Sequence, residues 1–121
     1  MANFCRRLLS GLGTALILTS FCFRVSAQAT VTDGRELFTD ARKGNCAACH
    51  QDSGSSPITS KSRIGPDLAG IKGRYPDRAQ LRAAIWDLSD KLPNTIMPPY
   101  GKHRILTGTE IDAVVRYLET L

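Results

Sequence analysis

Asn45-Cys46-Ala47-Ala48-Cys49-His50, "NCAACH", is the stretch on which the reading of this 121-residue chain turns. A Cys-x-x-Cys pair serves three chemistries: a redox dithiol, half of a zinc site, or a point of covalent haem attachment. What the remaining residues supply decides among them.

The first residues remove two of the four cysteines from consideration. Arg6 and Arg7 precede an apolar run from Leu8 to Phe23, and small-residue cleavage patterns end at Ala27 ("VSA") and Ala29 ("AQA"). This is the pattern of a secretory signal peptide, read here as residues 1–27, with cleavage after Ala29 as the other choice. The run is short and interrupted by Ser, Gly and Thr, so it would span a bilayer poorly. Phe21 is too bulky for the residue before a lipidated Cys22, which argues against a lipoprotein signal. Loss of residues 1–27 takes Arg6, Arg7 and Arg24 with it and lowers the formal net charge from +5 to +2. The basicity is therefore mostly targeting signal and gives no reason to expect nucleic acid. Cys5, Cys22 and Met1 leave as well. Cys46 and Cys49 are then the mature thiols, and Met97 the mature methionine.

Elimination follows from that inventory. A thioredoxin-like dithiol opens a helix after a strand, whereas helical sequence precedes Cys46 and no segment alternates as a strand should. A zinc site needs four ligands, and Cys46, Cys49, His50 and His103 lack paired spacing in their second half. Haem attachment needs two thiols spaced for the two vinyl groups, with a histidine directly after the second to reach the iron. Cys-x-x-Cys-His meets that requirement. The reading is one covalently bound haem c, held by Cys46 and Cys49, with His50 as proximal ligand in an exported domain of residues 28–121.

The sixth iron position sets the chemistry. Met97 stands before Pro98 and Pro99 in a rigid, otherwise polar loop, remote in sequence from His50. A methionine more often fills a core, but this setting favours ligation. His103 sits between Lys102 and Arg104 and reads as part of an exposed basic patch.

Helical signals account for the rest. Thr32 or Asp33 can cap "DGRELFTDARK" (33–43), and Pro76 suits the start of "PDRAQLRAAIWDLSDKL" (76–92), whose Leu81, Ile85, Leu88 and Leu92 share a face. Thr107 and Glu110 form a capping box for a last helix carrying Ile111, Val114, Val115, Leu118 and Leu121. "QDSGSSPITSKSR" (51–63), "IGPDLAGIKGRYP" (64–76) and "PNTIMPPYGKH" (93–103) read as irregular. An all-α fold of three or four helices with loops this long implies that something other than protein fills the middle. Trp86 and Tyr100 are candidates for haem contact, a partner interface or core packing.

Taken together, "GRELF", "CAACH", "IGPDLAGIKGR", "IMPPYG" and "EIDAVVRYLETL" resemble the class I c-type cytochromes across almost the whole mature chain. The resemblance implies a class I cytochrome c-like fold around the haem. It also implies that the Pro66 carbonyl accepts the proximal histidine's Nδ1–H, with Gly65 permitting close approach. The N- and C-terminal helices would cross in contact, Gly34 and Phe38 meeting Val114, Tyr117 and Leu118. A narrower similarity runs through "FTDARKGNCAACH", "IGPDLAGIKGRYPDRAQLRAAIWD" and "NTIMPPYGKHRILTGTEIDAVVRYL", which look like the SoxX family. Those are the small monohaem subunits of periplasmic SoxXA cytochromes in thiosulfate oxidation. That resemblance implies a SoxA-type partner subunit of one or two haems. It further implies a SoxYZ carrier whose cysteine receives thiosulfate, a downstream acceptor cytochrome, and an electron-accepting, non-catalytic role beside an L-cysteine S-thiosulfotransferase. With both mature thiols in haem bonds, this chain has none to carry a sulfur intermediate. Two other readings stay open: a free-standing electron shuttle, and a ligand-binding or catalytic haem with an open distal face. A shuttle would be expected to ring its haem edge with lysines; here the basic residues are mostly arginine and lie outside the motif.

Overall fold

The computed structural model describes residues 30–52 and 62–121. The expected signal peptide, its expected cleavage site and most of the 51–63 loop lie outside the described residues. Four α-helices are present among the described residues: α1 (Val31–Thr39), α2 (Ile71–Arg74), α3 (Arg78–Trp86) and α4 (Gly108–Leu118). Short 3-10 turns cover Cys46–Ala48 and Leu88–Asp90, and no strand occurs among the described residues. The fold is the all-helical class I cytochrome c-like arrangement that the sequence led us to expect.

The frame is the crossing of α1 and α4. Gly34 lies so close to α4 that a Cβ there would stand 2.6 Å from the Ala113 carbonyl carbon and 2.9 Å from the Tyr117 Cβ. A glycine that costs helix propensity is thus required by the approach of two backbones. One turn on, the fully buried Phe38 meets the Tyr117 ring edge-on, with centroids 5.5 Å apart and planes at 62°. Ile111, Val114, Val115 and Leu118 continue the buried α4 face, and Leu81 and Ile85 of α3 join the same core. Such a fully buried aromatic contributes about 3–5 kcal/mol by comparison with truncation to alanine. Two ion pairs brace α3 along α4, Arg82–Asp112 at 2.7 Å and Arg78–Glu119. Both are solvent-facing and add little.

Helix boundaries depart from the sequence reading at each place where a polar side chain competes for the backbone. α1 starts two residues earlier than expected, because Thr30 and Asp33 form a capping box. It stops at Asp40, whose carboxylate accepts from the Arg42 amide at 2.9 Å, so the helix does not reach Lys43. The helix expected over 76–92 covers only Arg78–Trp86. Asp77 caps its start by accepting from the Ala79 amide, and Pro76 lies outside it. Asp87 ends it by turning extended and accepting from the Ser89 amide at 2.9 Å. This is the local side-chain competition that ends helices at Asp. Leu92 is consequently 56 % exposed instead of sharing the α3 face. Within the stretch expected to be irregular, Ile71–Arg74 makes one helical turn after Gly70, whose φ of 62° favours glycine. α4 carries the expected box of Thr107 and Glu110.

Asp87 also ties α3 to the loop beyond Met97. Its side chain is 5 % exposed and accepts from Lys102 Nζ at 2.5 Å. The hydrogen bond from Lys102, then that from the Ser89 hydroxyl, holds this carboxyl down from 3.8 to about 2. A carboxyl depressed on folding contributes stability that is fully present above its ordinary value and is lost as pH falls through the folded one. The gap in thermal midpoint between the native protein and Asp87→Asn is therefore expected to be wide near neutrality. It should narrow as pH drops from 3.8 toward about 2. A gap that is constant across that range would mean that the ion pair carries no acid sensitivity.

Candidate haem site

The motif residues sit on a tight turn launched from the end of α1. The Asp40 carbonyl accepts from the amides of Lys43 and Asn45, both at 3.0 Å. Asn45 then turns left-handed, with φ 44°, and starts the 3-10 turn that displays Cys46 and Cys49. The amides of Cys49 and His50 both donate to the Cys46 carbonyl, at 3.1 and 2.9 Å. The two sulfurs are thus carried on one compact turn with His50 at its exit. Both are free thiols. Desolvation pushes the Cys46 thiol up from 9.0 to about 12. No group of three or more His, Cys, Asp or Glu side chains suited to a metal ion occurs among the described residues.

Beyond His50 the chain returns to the imidazole from the other side. The His50 ring Nδ1 lies 2.9 Å from the Pro66 carbonyl oxygen. With a proton on Nδ1 donated to that carbonyl, the Nε2 lone pair is left to bind a metal. Gly65 packs against the same ring: a Cβ on it would lie 2.5 Å from Cε1 and 2.7 Å from Nδ1. The Gly65 amide donates to the Cys49 carbonyl at 2.9 Å, and the Leu68 amide to the Gln51 carbonyl at 2.8 Å. These bonds lash the segment to the motif. An imidazole clamped at Nδ1 beside two free thiols fits a covalently held haem.

Met97 lies on a separate segment, half-buried and packed against the main core, with its amide on the Thr95 hydroxyl at 3.2 Å. Ile96 and Ile64, next to Met97 and Gly65, are 78 % and 62 % exposed. Both segments that would flank a haem thus carry an exposed apolar side chain. His103 is exposed. Trp86 is 41 % exposed, its indole laid on Gly101 and under the Arg82 guanidinium, 5.6 Å from the ring centroid.

Two arrangements escaped the sequence reading. Asp52, placed there in a surface loop, is 1 % exposed and accepts a hydrogen bond from the Tyr117 hydroxyl at 2.6 Å. Tyr100 is buried, and its hydroxyl donates to the Gly44 carbonyl at 2.9 Å. Neither pair has a spacing signal, because the partners are 65 and 56 residues apart.

Fold and site together describe a c-type haem protein that transfers electrons. A comparison with family models agrees: the Cytochrome c model matches residues 31–121, and the chain belongs to that family. Family membership implies covalently bound haem c. Among curated proteins, an uncharacterized lipoprotein of Aquifex aeolicus (strain VF5) is 35 % identical over 78 residues. The match covers 64 % of this chain and 37 % of the relative's length. No described helix is long and apolar enough to cross a membrane.

Proposed function

We propose that this protein is the electron-accepting monohaem subunit of a periplasmic thiosulfate-oxidising cytochrome of the SoxXA kind. Its fixed partner would be a SoxA-type subunit, which works on the cysteine of a SoxYZ carrier. The observation that carries the reading is the division of chemistry. Cys46 and Cys49 both lie in the attachment motif, so residues 28–121 have no thiol left for sulfur transfer. The long block from Arg74 to Thr107, "RYPDRAQLRAAIWD" through "NTIMPPYGKHRILT", supports the narrower assignment beyond what the motif alone could. Export is supported by the N-terminal sequence, by family membership, and by similarity to a lipoprotein.

One haem would supply reversible one-electron chemistry at iron. The chain does the holding and tuning. Cys46 and Cys49 would hold the porphyrin, and His50 would present Nε2 to the iron while the Pro66 carbonyl keeps the proton on Nδ1. Met97 would supply a thioether to the same iron, a donor that favours the reduced state relative to an oxygen or nitrogen donor. Ile64 and Ile96, exposed beside Gly65 and Met97, would lower the local dielectric where they met the haem.

Purification of the native protein from its source without overexpression tests the partner. A second cytochrome chain co-eluting in fixed ratio is the expected result. Elution as a lone monohaem protein would replace the subunit reading with that of a free-standing shuttle.

A further inference from the structure

Met97 and the attachment motif belong to segments that share no helix, yet one side chain joins them directly. Tyr100 follows Met97 by three residues, across Pro98 and Pro99, whose rings restrict the backbone. Its hydroxyl donates to the Gly44 carbonyl at 2.9 Å inside the protein. Gly44 is itself buried beside the motif: a Cβ there would lie 2.8 Å from the Leu37 carbonyl oxygen and 3.3 Å from Cys46 Sγ. The phenol therefore ends on the residue that abuts the first attachment sulfur.

The other end of Tyr100 is equally fixed. Its carbonyl accepts from the amides of Ile105 and Leu106, at 2.9 and 3.1 Å. The next two amides, of Gly101 and Lys102, both donate to the Trp86 carbonyl, at 3.2 and 3.3 Å. Gly101 lies flat on the Trp86 indole, where a Cβ would stand 2.8 Å from Cγ and closer still to Cδ2 and Cε3. Lys102 closes the ion pair with Asp87. Burial pushes the phenol up from 10.0 to about 12, so it stays a donor throughout the physiological range.

We propose that Tyr100 is a positioning residue: its hydrogen bond to Gly44 sets the Met97 loop against the attachment turn and so holds the distal thioether on the iron. The inference rests on the Met97 reading and adds to it a named tether. If the tether acts this way, its loss lets the loop swing out and lets an outside ligand compete more effectively for the distal position. Losing one hydrogen bond of this kind shifts such an equilibrium by about tenfold.

The test is an imidazole titration of the oxidised holoprotein, followed by bleaching of the weak far-red sulfur-to-iron charge-transfer band. Tyr100→Phe keeps the ring and its packing while removing the donor. It is expected to retain the band without imidazole and to bind imidazole about tenfold more tightly than the native protein. Val115→Ala, which loosens the same core but keeps the Tyr100 hydroxyl and its Gly44 acceptor, is expected to titrate as the native protein does. An unchanged titration in Tyr100→Phe overturns the tether, as does an equal gain in Val115→Ala, which would reveal general loosening. A band that survives in Met97→Ala overturns the ligand reading and the tether with it.

Discussion

Met97→Ala is expected to abolish the far-red charge-transfer band of the oxidised protein and to let the reduced protein bind carbon monoxide readily. The reduction potential should fall at the same time. Axial ligation spans about 0.8 V across haem proteins, so a drop on the order of 0.1 V is the scale to look for. Met97 is half-buried against the core, on a loop fixed at the Trp86 carbonyl and at Gly44. His103, the remaining histidine of the described residues, is exposed. Truncation removes only side-chain atoms beyond Cβ, and the loop retains its backbone and Tyr100 anchors. A change confined to spectrum and potential, with the helical content intact, is therefore predicted. If spectrum and potential match the native protein, Met97 is core filler and the distal face is open or held by another group.

Gly34→Ala is expected to be the most damaging single methyl group in the molecule. The added carbon would stand 2.6 Å from the Ala113 carbonyl carbon, which belongs to the α4 backbone and cannot rotate away. Overpacking costs about 1–3 kcal/mol where neighbours can adjust. Here the two helices must separate, and the Phe38–Tyr117 contact one turn along must open with them. A loss of about 3 kcal/mol is expected, corresponding to roughly 15 °C in thermal midpoint for a domain of this size. The α1 propensity gained by replacing glycine, about 1 kcal/mol, acts in the opposite direction and is outweighed. A midpoint that rises in Gly34→Ala would show that the two helix backbones are not in contact at this position.

The contrast between Gly34 and Asp87 explains what could be read in advance. Gly34 advertised itself as a residue that its helix does not want, and the Thr107–Glu110 box and the α4 periodicity spoke through local spacing. The attachment motif did so too, because two sulfurs and an imidazole must all reach one porphyrin edge. Asp87, by contrast, stands in a good helical pattern, and only its exchange of helix for a side-chain bond to Ser89 ends α3 there. Leu88 and Leu92 lost their expected face for that reason alone. Asp52 and Tyr100 were hidden differently. Each is placed by a hydrogen bond across more than fifty residues, and nothing in the neighbouring letters records a contact of that range.

The crossing of α1 and α4 has one more consequence, for how such a chain can change. It joins residues 31–39 to 108–118, so everything that would carry the haem lies in a single large loop closed by a rigid knot. The entropy of closing a loop grows only logarithmically, by about 0.6 kcal/mol for each doubling of its length. Extra residues inserted between the motif and Ile64, or between α3 and Met97, would therefore leave the knot almost as strong as before. Length variation in those segments can accumulate at little thermodynamic cost, while a single methyl at the knot cannot be tolerated.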